Sequence, residues 1–318
     1  MATQRPSYEA INYTIRPAKS IERKMLVESF RLLTPFAPLE EYAYVGFGST
    51  FFADFSLIHR HLGITDLISI EQDVERRGRF EFNKPLKCIR LDMRPSTQVL
   101  PELCWEKKTI LWLDYDGKLS DGVLADIGFF FDLACSGSVL AITLQARPDY
   151  RGKRVPSLHK RIQDATKIPA NITEDTLEEW GTAETYFRII NNEINESLAA
   201  RNGVLDAPDK LTYRQLYHFY YADSTKMFTV GGVLHSAKDF PSFGLCGFED
   251  KLDFVRTSKE PYTLFVPSLT LRELQHLDKQ LPCAASEALA AHGVPSSDVQ
   301  TYRRIYRYYP RFAESELW

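Results

Sequence analysis

The residues of this chain that could do chemistry stand at the ends of consecutive apolar runs. The run YAYVGF leads into the turn Gly46-Phe47-Gly48-Ser49, and the next run ends in Glu71. Glycines let a backbone approach a ligand closely, and an acid roughly 20 residues later accepts hydrogen bonds from ribose hydroxyls. The pattern therefore predicts a nucleoside-binding site, although a tight strand-to-helix turn would need the same glycines.

A bulky residue distinguishes this turn from the dinucleotide fingerprint. Phe51 occupies the position of the last glycine in that fingerprint, where a ring hinders the approach of a pyrophosphate. A ligand with adenosine but no pyrophosphate fits better, which disfavours a nicotinamide dehydrogenase. The third run ends in Asp92 and Met93, where a carboxylate could reach the adenine amine. A solvated aspartate at a strand end is the alternative for Asp92.

The fourth run ends in WLDYDG and places Asp114, Tyr115 and Asp116 at the mouth of the same crevice. Either aspartate could be a general base that deprotonates a hydroxyl. Alternatively, a carbonyl and a side chain could accept hydrogen bonds from a target amine while the tyrosine ring stacks on a base. As structure alone, Asp116-Gly117 is a turn signal. We expect a functional role for Asp114 without choosing between these chemistries.

Five short apolar runs must position these residues. They are rich in β-branched and aromatic residues, and they are continuous rather than alternating, as in strands buried on both faces of a parallel sheet. Helical patterns separate some of them, which predicts right-handed crossovers and an open, doubly wound sheet. Ligands of such sheets bind outside the carboxyl ends of the strands. The runs are YAYVGF (42–47), DLISIE (66–71), CIRLDM (88–93), TILWLDYD (109–116) and SVLAITLQA (138–146).

With these motifs the chain resembles the class I S-adenosylmethionine-dependent methyltransferases. The resemblance implies S-adenosylmethionine as cofactor, with the glycine turn at its methionine end, Glu71 at its ribose and Asp92 at its adenine. The implied fold is a three-layer α/β sandwich with a mostly parallel Rossmann-like sheet, an antiparallel last strand and a helical insertion after strand five. Tyr44 and Thr50 stand where the family has an acid and a glycine. The implied cofactor-binding residues are Gly46, Gly48, Ser49, Glu71, Gln72, Asp92 and Met93, and the implied catalytic residues are Asp114, Tyr115 and Asp116.

The pattern of the sequence changes after the fifth run, and a basic loop follows it. Arg147, Arg151 and Arg154 in this loop would overhang the crevice and bind a phosphate-bearing substrate, whereas the plain alternative is a solvated loop. The predicted segments are N-terminal helices (1–40), a cofactor-binding Rossmann-like half (41–146), a helical insertion that caps the substrate (147–226), closing strands (227–267) and C-terminal helices (268–318).

Two other classes of function stay open. The first is a non-catalytic nucleotide- or partner-binding module, which the departures at Tyr44 and Thr50 would explain. The second is a nucleic-acid-binding protein that uses the basic loop 147–161 and the arginine- and tyrosine-rich tail 302–312. For the tail we favour docking on the domain, with its arginines paired to surface acids. A partner protein or a homo-oligomer also remains open.

Charge, cysteine content and apolar runs limit the classes of function that remain open. A formal net charge of -3 gives no general attraction to nucleic acid, so any anion site must be local. The five cysteines are scattered and no histidine stands in a ligand-spaced cluster, which predicts neither disulfides nor a metal. The N-terminal stretch MATQRPSYEAINYTIRP lacks the apolar core of a signal peptide, and no apolar run is long enough to span a membrane. We therefore expect a cytoplasmic protein.

Overall fold

The structure is a computed structural model that describes residues 16–311. Residues 1–15 and 312–318 lie outside the described residues, and with them most of the stretch MATQRPSYEAINYTIRP and the last residue of the tail 302–312. The strands are β1 (Ala43–Gly46), β2 (Asp66–Ile70), β3 (Ile89–Asp92), β4 (Thr109–Asp114), β5 (Val139–Gln145), β6 (Leu211–Ala222), β7 (Lys226–Ser236) and β8 (Tyr262–Leu264). The α-helices are α1 (Pro17–Phe30), α2 (Ala53–Leu62), α3 (Arg77–Asn83), α4 (Ser96–Val99), α5 (Asp121–Leu133), α6 (Arg154–Arg161), α7 (Gly181–Asn202), α8 (Phe240–Cys246), α9 (Phe248–Lys251), α10 (Leu271–Asp278) and α11 (Ser296–Ile305).

The strands form one mixed sheet in the order β3-β2-β1-β4-β5-β7-β6-β8. Strands β1 to β5 are parallel, whereas β7 is antiparallel to both β5 and β6. The register aligns Gly46 with Ser69 of β2 and with Trp112 of β4. The predicted Rossmann-like sheet with antiparallel closing strands is thus confirmed, and the carboxyl ends of β1, β2 and β4 meet at one edge.

Each face of the sheet buries its own apolar core. Along β4, Ile110 and Trp112 enter the core beneath α1 and α2, whereas Leu111 and Leu113 enter the core beneath α5 and α7. Successive side chains of a strand point to opposite faces, so a strand covered on both sides reads as a continuous apolar run. Each of these side chains stabilises the fold by about 1.5–3 kcal/mol through burial. Layers of helix, sheet and helix result.

The insertion after β5 is shorter than the predicted range 147–226. Helices α6 and α7 lie within it, but residues 211–222 form β6, an internal strand between β7 and β8. Tyr217 and Phe219 enter one core and Tyr220 enters the other. A bulge between Gln215 and Tyr217 shifts the register of β6. Such a bulge interrupts the strand period, and this weakened the strand signal in the sequence.

The N-terminus of α1 is fixed to the sheet by a side chain from far along the chain. Its N-cap residue, Arg16, makes no side-chain cap. Instead, Asp223 in the turn between β6 and β7 accepts hydrogen bonds from the backbone N–H groups of Ala18 (2.9 Å) and Lys19 (3.2 Å). A carboxylate at this point satisfies unpaired N–H groups and opposes the positive end of the helix dipole. The first turn of α1 is thereby held near the carboxyl end of β4.

Replacing Asp223 with Ala is expected to lower the free energy of unfolding by about 1–2 kcal/mol, the range for the loss of a helix N-cap. Asp223→Asn keeps an acceptor oxygen and should cost less. Urea denaturation of the three proteins measures the difference. An alanine variant as stable as the wild type would contradict the capping role.

Candidate functional site

The glycine turn after β1 and the acid after β2 are in direct contact. The backbone N–H of Gly48 donates to Glu71 Oε1 (2.9 Å) and to Ser69 Oγ (3.1 Å). The hydroxyl of Ser69 donates to the same carboxylate oxygen at 3.0 Å. The structure therefore brings together the two elements that the sequence singled out, with the carboxylate of Glu71 half-buried at the edge of the sheet.

The turn itself is tightly packed and strained. A Cβ at Gly46 would lie 2.7 Å from the carbonyl oxygen of Trp112, and a Cβ at Gly48 would lie 2.6 Å from the ring of Phe52. Packing within the protein thus requires both glycines. Ser49 (φ 50°) and Phe52 (φ 47°) adopt the left-handed conformation. For residues other than glycine this costs on the order of 1–3 kcal/mol each, and such strain clusters at ligand sites.

Burial perturbs the carboxyl group of Glu71. It raises the pKa of Glu71 to about 7, against the opposing effect of hydrogen bonds from Ser69 and from the backbone of Gly48 and Ser49. The negative charge of Asp116 raises this pKa further. A carboxyl group poised near neutral pH at the end of a strand is typical of functional sites. The neighbouring Gln72 is exposed.

Asp92, predicted to contact adenine, is engaged by another residue. Its two carboxylate oxygens accept hydrogen bonds from Arg94 Nε (2.9 Å) and Nη2 (2.7 Å), and this pairing lowers the pKa of Asp92. Arg94 also binds Glu102 at 2.7 Å. Each oxygen of Asp92 thus already accepts one hydrogen bond, and the adenine contact stays a prediction. Met93 is buried in the core beneath α1 and α2.

Asp114 is the catalytic candidate that lies at the crevice edge, and it has a buried partner that the sequence did not reveal. Lys19 Nζ lies 2.8 Å from Asp114 Oδ1 and 2.7 Å from Glu22 Oε2. The side chains of Lys19 and Glu22 are fully buried, whereas that of Asp114 keeps 14% exposure. Lys19 also lies 4.8 Å from the centre of the Trp112 ring. Asp114 is therefore paired with a buried cation and remains partly exposed to solvent.

The charges around Asp114 form a connected group. Glu22 accepts hydrogen bonds from Tyr221 (3.0 Å) and from Thr229, and Arg23 pairs with Asp54 of α2. Three carboxylates (Glu22, Asp54 and Asp114) thus face two cations (Lys19 and Arg23). Burial and the charges of Asp54 and Asp114 raise the pKa of Tyr44 well above its ordinary value. The phenol that replaces the family's acid thus lies beside two carboxylates.

Tyr115 faces the core opposite to Asp114, because successive residues of a strand alternate. Its hydroxyl donates to Asp126 of α5, and its ring makes an edge contact with Phe47 of the glycine turn at 5.0 Å. Its catalytic role stays a prediction. Asp116, the third predicted catalytic residue, is exposed at the edge of the sheet.

The arginines of the basic loop divide into two groups. Arg147 and Arg151 are exposed, and Arg151 lies 3.9 Å from Asp175. Arg154 is buried and donates to the carbonyl oxygens of Glu174 (2.7 Å) and Asp149 (3.3 Å). Arg154 therefore ties the loop to the segment before α7. The predicted substrate contacts of the three arginines stay predictions.

The arginine- and tyrosine-rich tail is docked on the domain. Arg307 and Tyr308 bind the carboxylate of Glu28, and Arg311 binds Asp278. Arg303 donates to the backbone carbonyls of residues 283, 284 and 287. The favoured interpretation, in which the tail packs on the domain, is confirmed. The nucleic-acid alternative itself stays a prediction.

Neither a metal-ligand cluster nor a membrane-spanning helix occurs within residues 16–311. No group of three or more histidine, cysteine, aspartate or glutamate residues is arranged there to hold a metal ion. None of the helices in that range combines the length and apolar character needed to cross a bilayer.

The fold is Rossmann-like, and the predicted cofactor-binding residues Gly48 and Glu71 meet at the carboxyl ends of β1 and β2. The chain belongs to the family described as "Putative O-methyltransferase", whose sequence profile matches residues 11–317. This assignment confirms the predicted class, the S-adenosylmethionine-dependent methyltransferases of class I, and with it S-adenosylmethionine as the cofactor. A search of curated proteins found no match.

Several solved structures are distantly similar. The N-methyltransferase NodS from Bradyrhizobium japonicum WM9, in complex with S-adenosylhomocysteine, has 12% identity and a TM-score of 0.41, covering 71% of this chain and 96% of its own. The O-methyltransferase from Bacillus cereus, in complex with S-adenosylhomocysteine, has 11% identity and a TM-score of 0.38. The match covers 71% of this chain and 86% of the Bacillus cereus chain. Spermidine synthase from Thermotoga maritima has 8% identity and a TM-score of 0.39. The match covers 77% of this chain and 68% of the synthase chain.

The affinity for S-adenosylhomocysteine is expected to fall roughly three- to tenfold from about pH 8 to about pH 6. Because the pKa of Glu71 is raised to about 7, its carboxyl group is ionised at the higher pH and mostly protonated at the lower. An ionised carboxylate is the stronger acceptor for ribose hydroxyls. Calorimetry at both pH values tests this, with the non-titrating variant Glu71→Gln as control. Equal pH dependence in both proteins would refute it.

Proposed function

We propose that this protein transfers the methyl group of S-adenosylmethionine to a hydroxyl oxygen of a phosphate-bearing substrate. The family's description supports an oxygen acceptor. The observation that carries the proposal is the position of Asp114, whose partly exposed carboxylate ends β4 beside the turn after β1. Lys19 fixes this carboxylate from below at 2.8 Å. A carboxylate held in this way can orient a hydroxyl group at the crevice.

The residues around the crevice fit the cofactor at its ribose and at its sulfonium. Glu71 and the backbone of the glycine turn offer a carboxylate for the ribose hydroxyls. The buried group around Asp114 carries one more carboxylate than cation, and this excess negative charge suits a positively charged sulfonium. Asp54 and Asp114 thus supply, near Tyr44, the negative charge that the family's acid would provide. Bound S-adenosylmethionine supplies an electrophilic methyl group.

In the proposed reaction, Asp114 accepts a hydrogen bond from the acceptor hydroxyl and orients its oxygen in line with the methyl–sulfur bond. As the new oxygen–carbon bond forms, the sulfur–carbon bond breaks and its electron pair stays on sulfur. The hydroxyl proton passes to Asp114 and then to solvent. Lys19 keeps the carboxylate in place throughout and does not touch the substrate.

The phosphate of the substrate is assigned to the loop after β5. Arg147 and Arg151 are exposed there, just beyond the carboxyl end of the strand next to β4. Exposed arginines bind phosphate through parallel N–H groups. Arg154 ties this loop in place, because its guanidinium binds backbone carbonyls. A nucleic acid or a small phosphorylated molecule would satisfy the same contacts.

Methyl transfer from tritium-labelled S-adenosylmethionine into a cell extract tests the proposal. We expect label in alkali-stable, ether-linked methyl groups in the presence of the wild-type protein. Asp114→Asn should reduce the rate by about 10²–10⁴-fold, the range for a lost general base. Treatment of the extract with phosphatase beforehand should abolish the labelling.

Each part of the proposal can be contradicted by a different result. Undetectable binding of S-adenosylmethionine in calorimetry would contradict methyl transfer altogether. Equal labelling after phosphatase treatment would contradict the phosphate-bearing substrate alone. An unchanged rate in Asp114→Asn would remove Asp114 from the reaction.

A further inference from the structure

A cavity of about 340 Å³ lies between α1, α2 and the C-terminal tail. It adjoins the C-terminal half of α1, whereas the Asp114 network engages the first turns of that helix. It is therefore separate from the methyl-transfer crevice. Its lining residues are Lys24, Val27, Glu28, Arg31, Leu57, His61, Arg307 and Tyr308.

The lining has an excess of positive charge. Lys24, Arg31 and Arg307 face a single carboxylate, that of Glu28. Glu28 is already bonded to Arg307 and to the hydroxyl of Tyr308. The chain as a whole has a formal net charge of -3, so this positive cavity is a local feature. A concave positive surface concentrates anions.

Two of these cations have neutral partners. Lys24 Nζ donates to the carbonyl oxygen of Tyr308 at 2.8 Å, and burial lowers the pKa of Lys24. A nitrogen of the Arg31 guanidinium lies 3.2 Å from His61 Nδ1, and within residues 16–311 no carboxylate pairs with it. Burial, together with the charges of Arg31 and Arg60, lowers the pKa of His61. Lys24 is half-buried and Arg31 is exposed. A partly buried cation such as Lys24, without a carboxylate partner, is stabilised by an incoming anion.

The rest of the lining is apolar. Val27, Leu57 and the ring of Tyr308 contribute to the wall, and the Arg307 guanidinium lies 5.6 Å from the centre of that ring. Inorganic anions gain nothing from such a wall, whereas an organic body attached to the anion would be desolvated against it. The cavity volume admits a ligand larger than phosphate alone.

We propose that this cavity binds a phosphate-bearing organic anion. Its phosphate is held by Arg31, Lys24 and Arg307, and its apolar body packs on Val27 and Leu57. The site is independent of the proposed function, since none of these residues belongs to the crevice at β1, β2 and β4. The cavity adjoins α1, and α1 also carries Lys19, the partner of Asp114. The proposed site is thus a second ligand site on this helix.

Calorimetry with phenyl phosphate tests this site in a protein that carries Arg147→Ala and Arg151→Ala, which remove the phosphate contacts proposed for the crevice. We expect Arg31→Ala to weaken its binding by about tenfold or more, as charge-assisted hydrogen bonds are lost. Glu28→Gln keeps an acceptor oxygen for Tyr308 but removes the competing charge, and should tighten binding several-fold. Inorganic phosphate should bind more weakly than phenyl phosphate. The control is Lys238→Ala, which removes an exposed lysine paired with Asp209 and should leave the affinity unchanged.

Thermal unfolding checks that each variant folds, and Arg31→Gln replaces Arg31→Ala if the latter does not. Equal affinity of the wild type and the Arg31 variant for phenyl phosphate would overturn the proposal. Loss of phenyl phosphate binding when S-adenosylhomocysteine saturates the protein would also overturn it, because the probe would then occupy the crevice. Retained binding under saturation, in the protein that lacks Arg147 and Arg151, supports a separate site.

Discussion

Replacing Lys19 with Met is expected to lower the free energy of unfolding by about 3–5 kcal/mol, the range for removing one partner of a buried ion pair. Lys19 is fully buried between Glu22 (2.7 Å) and Asp114 (2.8 Å), and methionine has a similar length but no charge. Without the ammonium group, the carboxylate of Glu22 is left buried without its closest counter-charge. Urea denaturation measures the loss.

A double-mutant cycle separates this pairing from simple packing. Glu22→Gln removes the second charge while Tyr221 and Thr229 can still donate to its amide oxygen. The double variant should therefore cost less than the two single variants added together. Lys24→Met on the same helix is the matched control and should lie within about 1 kcal/mol of the wild type, because Lys24 pairs with a carbonyl oxygen only. A Lys19 variant as stable as this control would refute the buried pairing.

Glu71→Ala is expected to weaken the binding of S-adenosylhomocysteine by roughly 100-fold, or about 2.7 kcal/mol. The change removes charge-assisted hydrogen bonds to the ribose hydroxyls, each worth about 1.5–3 kcal/mol. It also removes the acceptor that binds the N–H of Gly48 at 2.9 Å and so loosens the turn. Titration calorimetry at about pH 8, where the carboxyl group is ionised, measures the effect.

Two variants separate these contributions. Glu71→Gln keeps an acceptor oxygen for Gly48 and should weaken binding by about tenfold, since only the charge is lost. Glu75→Ala removes an exposed acid from the same segment and should have no effect. Unchanged affinity in Glu71→Ala would show that the ribose does not contact this carboxylate, and the cofactor site would have to lie elsewhere.

Much of the parallel half of the sheet is determined by the sequence alone. The runs that became β1, β2, β3, β4 and β5 are continuous because both faces of each strand are covered, and burial selects apolar residues on both sides. Strand and helix alternate, and right-handed crossovers leave few topologies for such a chain. The contact between Gly48 and Glu71 followed from this, because neighbouring parallel strands end at one edge. The orientation of Tyr115 was also within reach of the sequence, since it must oppose that of Asp114.

Only the tertiary structure decided which charged groups meet. Lys19 and Asp114 are distant in the chain, and no local pattern places the first turn of α1 beside β4; Asp223 on the β6–β7 turn does so. Likewise, the sequence does not say that Arg154 will bind backbone carbonyls or that Arg31 will face a cavity. Strands are encoded by the apolar residues of a short run of sequence. Ion pairs between remote segments depend instead on how the completed elements pack. For this protein the sequence therefore specified the parallel half of the sheet and the contact between Gly48 and Glu71, and packing determined the partners of Asp114 and Tyr115.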